Sequence, residues 1–305
     1  MGVALSEQIK FTEKLNLASG FESLGNYLHA LQIYTSLIES DETYIEPYLR
    51  LVLLYEKTGR IEEAGKVLDK MTTVNPKNDY ALIFASEFFI RFSNWEKALS
   101  VVVNIDESVY PISYYWSGLC NYNLKNYEQA RESLEYLRKI DSKYEYWSHA
   151  LFLLANIEFD TGKYNQALEF ANEIEFVYTD NWELYLLLAK IYYKLDMIIH
   201  ADEKITKALK FAKGNSKVYE SAAKIFLKAG KLKKSEKYFD LLMESTDEIS
   251  AEIYSSMASI AEANKEPEKA RLYYELALSI DSGYRPAMNA LNWLNAQNKY
   301  RVSND

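Results

Sequence analysis

The residues able to do acid–base, nucleophilic or metal chemistry in this chain are few and far apart. Its histidines are His29, His149 and His200. Two imidazoles on one helix face would suit zinc, and an imidazole beside a serine or cysteine would activate a nucleophile. Here His29 and His200 lie in distant segments, each directly before an alanine. No HExxH, Walker A, GxGxxG or GxSxG spacing occurs. The single cysteine, Cys120, excludes a disulfide framework and a cysteine-ligated zinc site. Asp and Glu are abundant but scattered, with no acid-rich loop of the calcium-binding kind. The expectation is no catalytic, metal-binding or cofactor-binding residue, and no enzyme activity.

Charge offers the next chemistry. The chain of 305 residues carries 35 Lys+Arg against 44 Asp+Glu, a net charge of −9. From Lys204 to Lys237, eleven lysines stand against two glutamates, so this segment carries +9 and the remainder −18. Such a segment suits either an acidic partner or a polyanion such as nucleic acid or acidic lipid. The overall acidity weighs against a whole-surface nucleic-acid binder. Aromatic residues concentrate too: residues 110–159 hold 12 in 50 positions, 24% against 14% for the whole chain. Tyr and Trp give large contact areas at low entropic cost, which is what an interaction hot spot requires.

The elements that must position these groups show themselves as a repeat. A small residue after a polar pair returns at Ala30, Ala64, Ala98, Ala130, Ala167, Ala201, Ser235 and Ala270, with spacings of 34, 34, 32, 37, 34, 34 and 35. Apolar residues within each unit follow helical spacing, as Tyr185, Leu188, Ala189 and Tyr192 do, with no strand alternation. Gly25, Gly59, Gly162 and Gly230 mark the turns that end the first helix of a unit. Each unit therefore predicts two antiparallel helices, and eight units tile the chain.

No apolar run reaches the length of a membrane span; the stretch from Tyr80 to Ile90 is broken by Ser86 and Glu87. Met1 to Lys10 lacks the pattern of a signal peptide, although Met1 to Ser6 fits the short N-myristoylation pattern. A cytoplasmic protein is expected.

The repeat resembles the tetratricopeptide repeat (TPR), a helix-turn-helix unit of 34 residues. In that family position 8 is small, 20 is alanine, and 17 and 24 are bulky. Position 8 here reads Ala18, Val52, Ser86, Gly118, Ala155, Ala189, Ala223 and Ala258. Position 20 reads alanine except at Ser235, and position 17 is large except at Pro267. The proline preferred at position 32 appears only as Pro76. The resemblance implies an all-α, right-handed α-solenoid (superhelix). Its array would cover residues 1–283, with repeats starting near 11, 45, 79, 111, 148, 182, 216 and 251. Residues 284–305 would form a C-terminal capping helix and tail. Pro286 fits the first turn of that helix, and Met288, Leu291 and Leu294 form its apolar stripe.

In this family the concave groove is lined by first helices. Carried over by position, the groove would present Leu49, Leu53, Ile83, Ile90, Tyr115, Leu119, Tyr122, Phe152, Asn156, Phe159, Leu186, Lys190, Tyr193 and Lys194. A basic patch would follow at Lys217, Lys224 and Lys228. The Lys/Asn arrangement by which chaperone-binding members clamp two carboxylates is not reproduced. The insertion implied by the spacing of 37 falls near Ser142 to Trp147, with Tyr144, Tyr146 and Trp147 together. The resemblance thus implies a non-catalytic scaffold that binds a protein or peptide segment, acidic or amphipathic, in its groove. Polyanion binding through Lys204–Lys237 and self-association stand as alternatives, with nucleic acid the less favoured partner.

Overall fold

The computed structural model describes residues 2–140 and 146–302 of the chain. Ser142 and Tyr144 of the expected insertion lie outside the described residues, as does the side-chain setting of the myristoylation pattern. Among the described residues there are seventeen helices and no strand. Eight consecutive pairs are α1 (Gly2–Ser23) with α2 (Tyr27–Ser40), α3 (Ile45–Lys57) with α4 (Ile61–Val74), α5 (Asp79–Arg91) with α6 (Trp95–Val102), and α7 (Ile112–Asn123) with α8 (Tyr127–Ile140). They continue as α9 (Trp147–Asp160) with α10 (Tyr164–Glu175), α11 (Trp182–Lys194) with α12 (Ile198–Phe211), α13 (Ser216–Lys228) with α14 (Leu232–Ser245), and α15 (Ala251–Ala263) with α16 (Pro267–Ile280). A last helix, α17 (Arg285–Val302), follows alone. This is the all-helical, consecutively paired packing of an α-solenoid. The helices fall into two compact units, Met1–Leu153 and Leu154–Asp305.

One backbone device closes every pair. The residue that ends the first helix adopts a positive φ at Gly25, Gly59, Gly162 and Gly230, but also at Ser93, Lys125, Asp196 and Lys265. In each case the next amide reaches back to a carbonyl five residues earlier, as Asn26 N does to Phe21 O at 2.8 Å and Glu266 N to Ala261 O at 2.8 Å. The positive-φ residue's own N–H also bonds a carbonyl three residues back, as Gly25 N does to Glu22 O, so two orphan carbonyls of the last turn are satisfied and the chain reverses in a few residues. Glycine adopts this conformation without strain; the four non-glycine residues hold it against their own Cβ.

Close helix approach then builds the cores. The small residues of the repeat, Ala18, Val52, Ala155, Ala189, Ala223 and Ala258 on first helices and Ala30, Ala64, Ala98, Ala130, Ala167, Ala201 and Ala270 on second helices, are all fully buried. In the first unit Tyr34, Tyr48, Leu68, Phe88, Phe89, Trp116 and Cys120 fill the spaces beside them. Burial pushes the Cys120 thiol up to about 12, so it stays protonated and serves as packing. In the second unit Phe239, Met257 and Ile260 form one cluster, and Tyr274, Ala277, Ala287 and Leu294 another.

That last cluster docks α17 on the final pair. The sequence stripe differs in one place: Ala287, with Leu291 and Leu294, faces the core, whereas Met288 is exposed. The helix phase explains it, because residues 287, 291 and 294 share a face that excludes 288.

Candidate functional site

In the first unit, the first-helix residues expected on a groove divide between surface and core. Leu53 is 45% exposed, and Ile83 and Ile90 are half-buried against the core. Leu49 is only 5% exposed, so its place is in the packing rather than on a surface a partner could touch. Tyr115, Leu119, Tyr122 and Phe152 are half-buried. Tyr115 stacks on Tyr146 with ring centroids 5.3 Å apart, and the His149 ring lies 6.0 Å away. Tyr122 meets Tyr127 at 6.0 Å. The aromatic concentration of residues 110–159 is therefore partly spent on its own rings.

The second unit contains a defined cavity of about 370 Å³. It is lined by Phe159 from α9, Lys190, Tyr193 and Lys194 from α11, Lys217, Glu220, Ser221, Lys224 and Ile225 from α13, and Glu252 from α15. All four contributing helices are the first of their pairs. Six residues expected from repeat position gather here: Phe159, Lys190, Tyr193, Lys194, Lys217 and Lys224. Asn156 and Lys228 lie outside the lining, and Leu186 is buried in the core at 7% exposure. Glu220 and Glu252 occupy the same first-helix register, but a search for lysine alone passes over them. Ser221 and Ile225 fall one step off that register, and no sequence signal pointed to them.

The electrostatics of the cavity are uneven. Lys224 reaches Glu220 at 2.9 Å on its own helix and Glu252 at 3.1 Å on the next first helix. Burial opposes the Lys224 charge, but these two carboxylates more than offset it, and its pKa is raised. Lys190 is half-buried and has the opposite balance. Burial holds its pKa below the ordinary lysine value, and Lys217 and Lys224 add repulsion, which Glu220 and Asp160 only partly relieve. Lys194 and Lys217 are exposed at the rim.

Elsewhere the lysine-rich segment is largely tied down. Lys204 and Lys207 share Glu175, Lys228 holds Asp196 at 2.7 Å, and Lys231 pairs with Asp202. Lys210, Lys234 and Lys237 lie over the rings of Phe211, Phe226 and Tyr238. The +9 read from the sequence is thus spread over second helices and ion pairs rather than gathered into one free surface. Among the described residues, no helix is long and apolar enough to cross a membrane, and no cluster of His, Cys, Asp and Glu has the makings of a metal site.

Models of the tetratricopeptide repeat match residues 23–85, 113–143 and 251–284. Among solved structures, the chain is similar to a tetratricopeptide repeat protein from Parabacteroides merdae, with 18% identity, 93% of this chain and 98% of that chain covered, and a TM-score of 0.52. It is also similar to a chain in the APC/C hetero-tetramer Cut9–Hcn1, with 12% identity, a TM-score of 0.60 and 88% of this chain covered. There the match spans about half, 52%, of the other chain. At such identities the likeness is one of fold. No curated protein matches the chain in sequence.

Proposed function

Since this chain belongs to the tetratricopeptide-repeat family, we propose that it is a non-catalytic scaffold that binds a segment of another protein on its first-helix faces and so brings proteins together. The carrying observation is the cavity of the second unit, to which first helices of four successive pairs contribute side chains. Helices are rigid elements, and a cavity whose walls come from four of them is pre-shaped for a ligand rather than assembled on binding. Phe159 and Tyr193 provide aromatic surface, Tyr193 with Lys228 Nζ over its ring at 4.7 Å from the centroid, and the lining lysines provide orientation. In the first unit Leu53, Ile90, Tyr115 and Tyr122 offer the corresponding first-helix surface. The APC/C hetero-tetramer in which a similar chain was solved is a protein assembly, which agrees with a scaffold role.

A photo-crosslinking amino acid introduced in place of Lys194, at the cavity rim, should join the chain to a partner protein in the source cell. The same probe in place of Lys233, exposed on α14, should not. Equal crosslinking at both sites, or none at Lys194, would remove the first-helix faces as the binding surface.

A further inference from the structure

The cavity of the second unit holds more positive charge than its own carboxylates satisfy. Glu220 and Glu252 are both committed to Lys224. Lys190, Lys194 and Lys217 form no ion pair among the described residues, although all three line the same space. Lys194 and Lys217 are exposed and keep their water; Lys190 is not so placed. An ammonium group partly stripped of water, with no ion pair and only Glu220 and Asp160 acting on it from a distance, is unfavourable as it stands. A carboxylate brought to it from outside would remove that penalty and form a charge-assisted hydrogen bond in a low-dielectric recess.

We infer that this cavity receives an acidic side chain of a partner protein, its carboxylate lodged among Lys190, Lys194 and Lys217 and its neighbouring apolar side chain laid on Phe159 and Tyr193. This rests on the reading that the second unit binds a protein segment at this place. Size and chemistry select that occupant over a nucleic acid or a lipid surface. A space of about 370 Å³ takes a few side chains, not a duplex or a bilayer face. Glu220 and Glu252 in the lining would repel a closely spaced row of phosphates, whereas one carboxylate meets a net positive site. The rings of Phe159 and Tyr193 match an apolar side chain, which a phosphate backbone does not carry. The aromatic ring of Phe159 comes from α9, Tyr193 with two lysines from α11, and mostly charged groups from α13, so a segment running over the three helices engages both kinds.

The test uses the full chain and an array of short peptides anchored by their C-termini, in which each peptide bearing Asp or Glu beside an apolar residue has an Asn or Gln twin. On the wild type, the best acidic peptides should bind about tenfold or more tightly than their twins. Lys190→Gln should abolish that preference, Lys194→Gln and Lys217→Gln should reduce it, and Lys213→Gln, outside the lining, should leave it intact. If Lys190→Gln fails to fold by circular dichroism, the two rim variants carry the test. Twins that bind alike on the wild type overturn the inference, as does an acid preference that survives the cavity variants. Binding that is absent on the array and appears only when the same peptides are offered in solution with free C-terminal carboxylates, or that inorganic phosphate or a single-stranded oligonucleotide displaces equally well, overturns it too. Peptide binding unaffected by Phe159→Ala and Tyr193→Ala would instead remove the cavity itself as the docking place. Loss of binding in those two variants with twins still alike leaves the docking place standing and the acid inference refuted.

Discussion

A side chain on Gly118 would run into Leu134: a Cβ built there lies 2.5 Å from Leu134 Cγ and 2.6 Å from Cδ2. Gly118 belongs to the first helix of the fourth pair and Leu134 to the second, and Leu134 is fully buried. Two effects oppose each other in Gly118→Ala. Helix propensity favours alanine by about 1 kcal/mol, while overpacking a filled core costs about 1–3 kcal/mol. Leu134 is fully buried and three of its side-chain atoms lie within 3.2 Å of the added Cβ, so the steric term should win. Thermal unfolding followed by circular dichroism should show Gly118→Ala less stable by roughly 1 kcal/mol. Adding Leu134→Val should recover part of that loss, and strict additivity of the two losses would refute the contact as the cause.

Two buried serines at small positions of the repeat differ in partner. Ser235 Oγ donates to the Ala223 carbonyl at 2.7 Å, whereas Ser86 Oγ is buried with no hydrogen bond among the described residues. Ser86→Ala removes an unsatisfied hydroxyl and improves helix propensity, so it should raise stability by about 0.5–1 kcal/mol. Ser235→Ala loses a made bond and should be neutral or mildly destabilising. The same thermal melt on both variants checks the contrast, and a Ser86→Ala that is no more stable than the wild type would refute it.

The positive-φ turns give a third pair of variants. Lys125 has φ 63° and Lys265 has φ 63°, where a Cβ is strained. Glycine removes that strain but adds freedom to the unfolded chain, and the net gain should be about 0.5–1 kcal/mol for Lys125→Gly or Lys265→Gly. Gly59→Ala at an equivalent turn, with φ 75°, should lose a comparable amount. Chemical denaturation midpoints would show both, and a destabilised Lys265→Gly would contradict the argument.

These contrasts explain what the sequence made legible. A small residue recurring about every 34 positions is a direct imprint of helix contact, so the paired architecture could be read before any coordinates. The turns were half visible: glycine advertises a positive φ, but Ser93, Lys125, Asp196 and Lys265 adopt it under the constraint of the helices on either side. Position within the repeat told which helix face a residue occupies, not how deep it sits. Repeat position predicts Leu49 and Leu186 on a groove, yet they are only 5% and 7% exposed. Lysine count revealed a basic segment, but only the fold shows that Glu175, Asp196 and Asp202 take up much of it and that Lys190 is left unpaired.

Alkaline stability should depend on two tyrosines that hold the same repeat position in different units. Tyr34 OH lies 3.4 Å from Glu22 Oε2, and Tyr274 OH donates to Glu262 Oε2 at 3.1 Å. Burial first, and then the carboxylates, raise both phenols from 10.0 to about 12. The folded chain therefore holds these protons when the unfolded chain has released them. Their stabilisation is full below pH 10.0 and is lost as pH rises from there to about 12. In Tyr34→Phe/Tyr274→Phe, melting temperature should fall less steeply across that window than in the wild type. An unchanged slope would rule out these two groups as its source.

Lys190 should behave unlike a structural lysine, because a side chain placed for a partner is a burden to the unliganded fold. Its folded pKa lies below the ordinary 10.5, chiefly through burial. The folded chain thus binds its proton less readily than the unfolded chain does. It follows that Lys190 weakens the fold most at neutral pH, and that the penalty disappears as pH rises through the lowered pKa to 10.5. Lys190→Met keeps the methylene stem and removes the charge, so at pH 7 it should melt higher than the wild type, by up to about 1 kcal/mol in stability. The advantage should shrink as the pH approaches 10.5. Lys224→Met, which breaks the bridge to Glu220 and Glu252, should move the other way and lower stability. If Lys190→Met were instead less stable at pH 7, Lys190 would be holding the fold together, and its unpaired charge would lose its meaning as a vacancy for a partner's carboxylate.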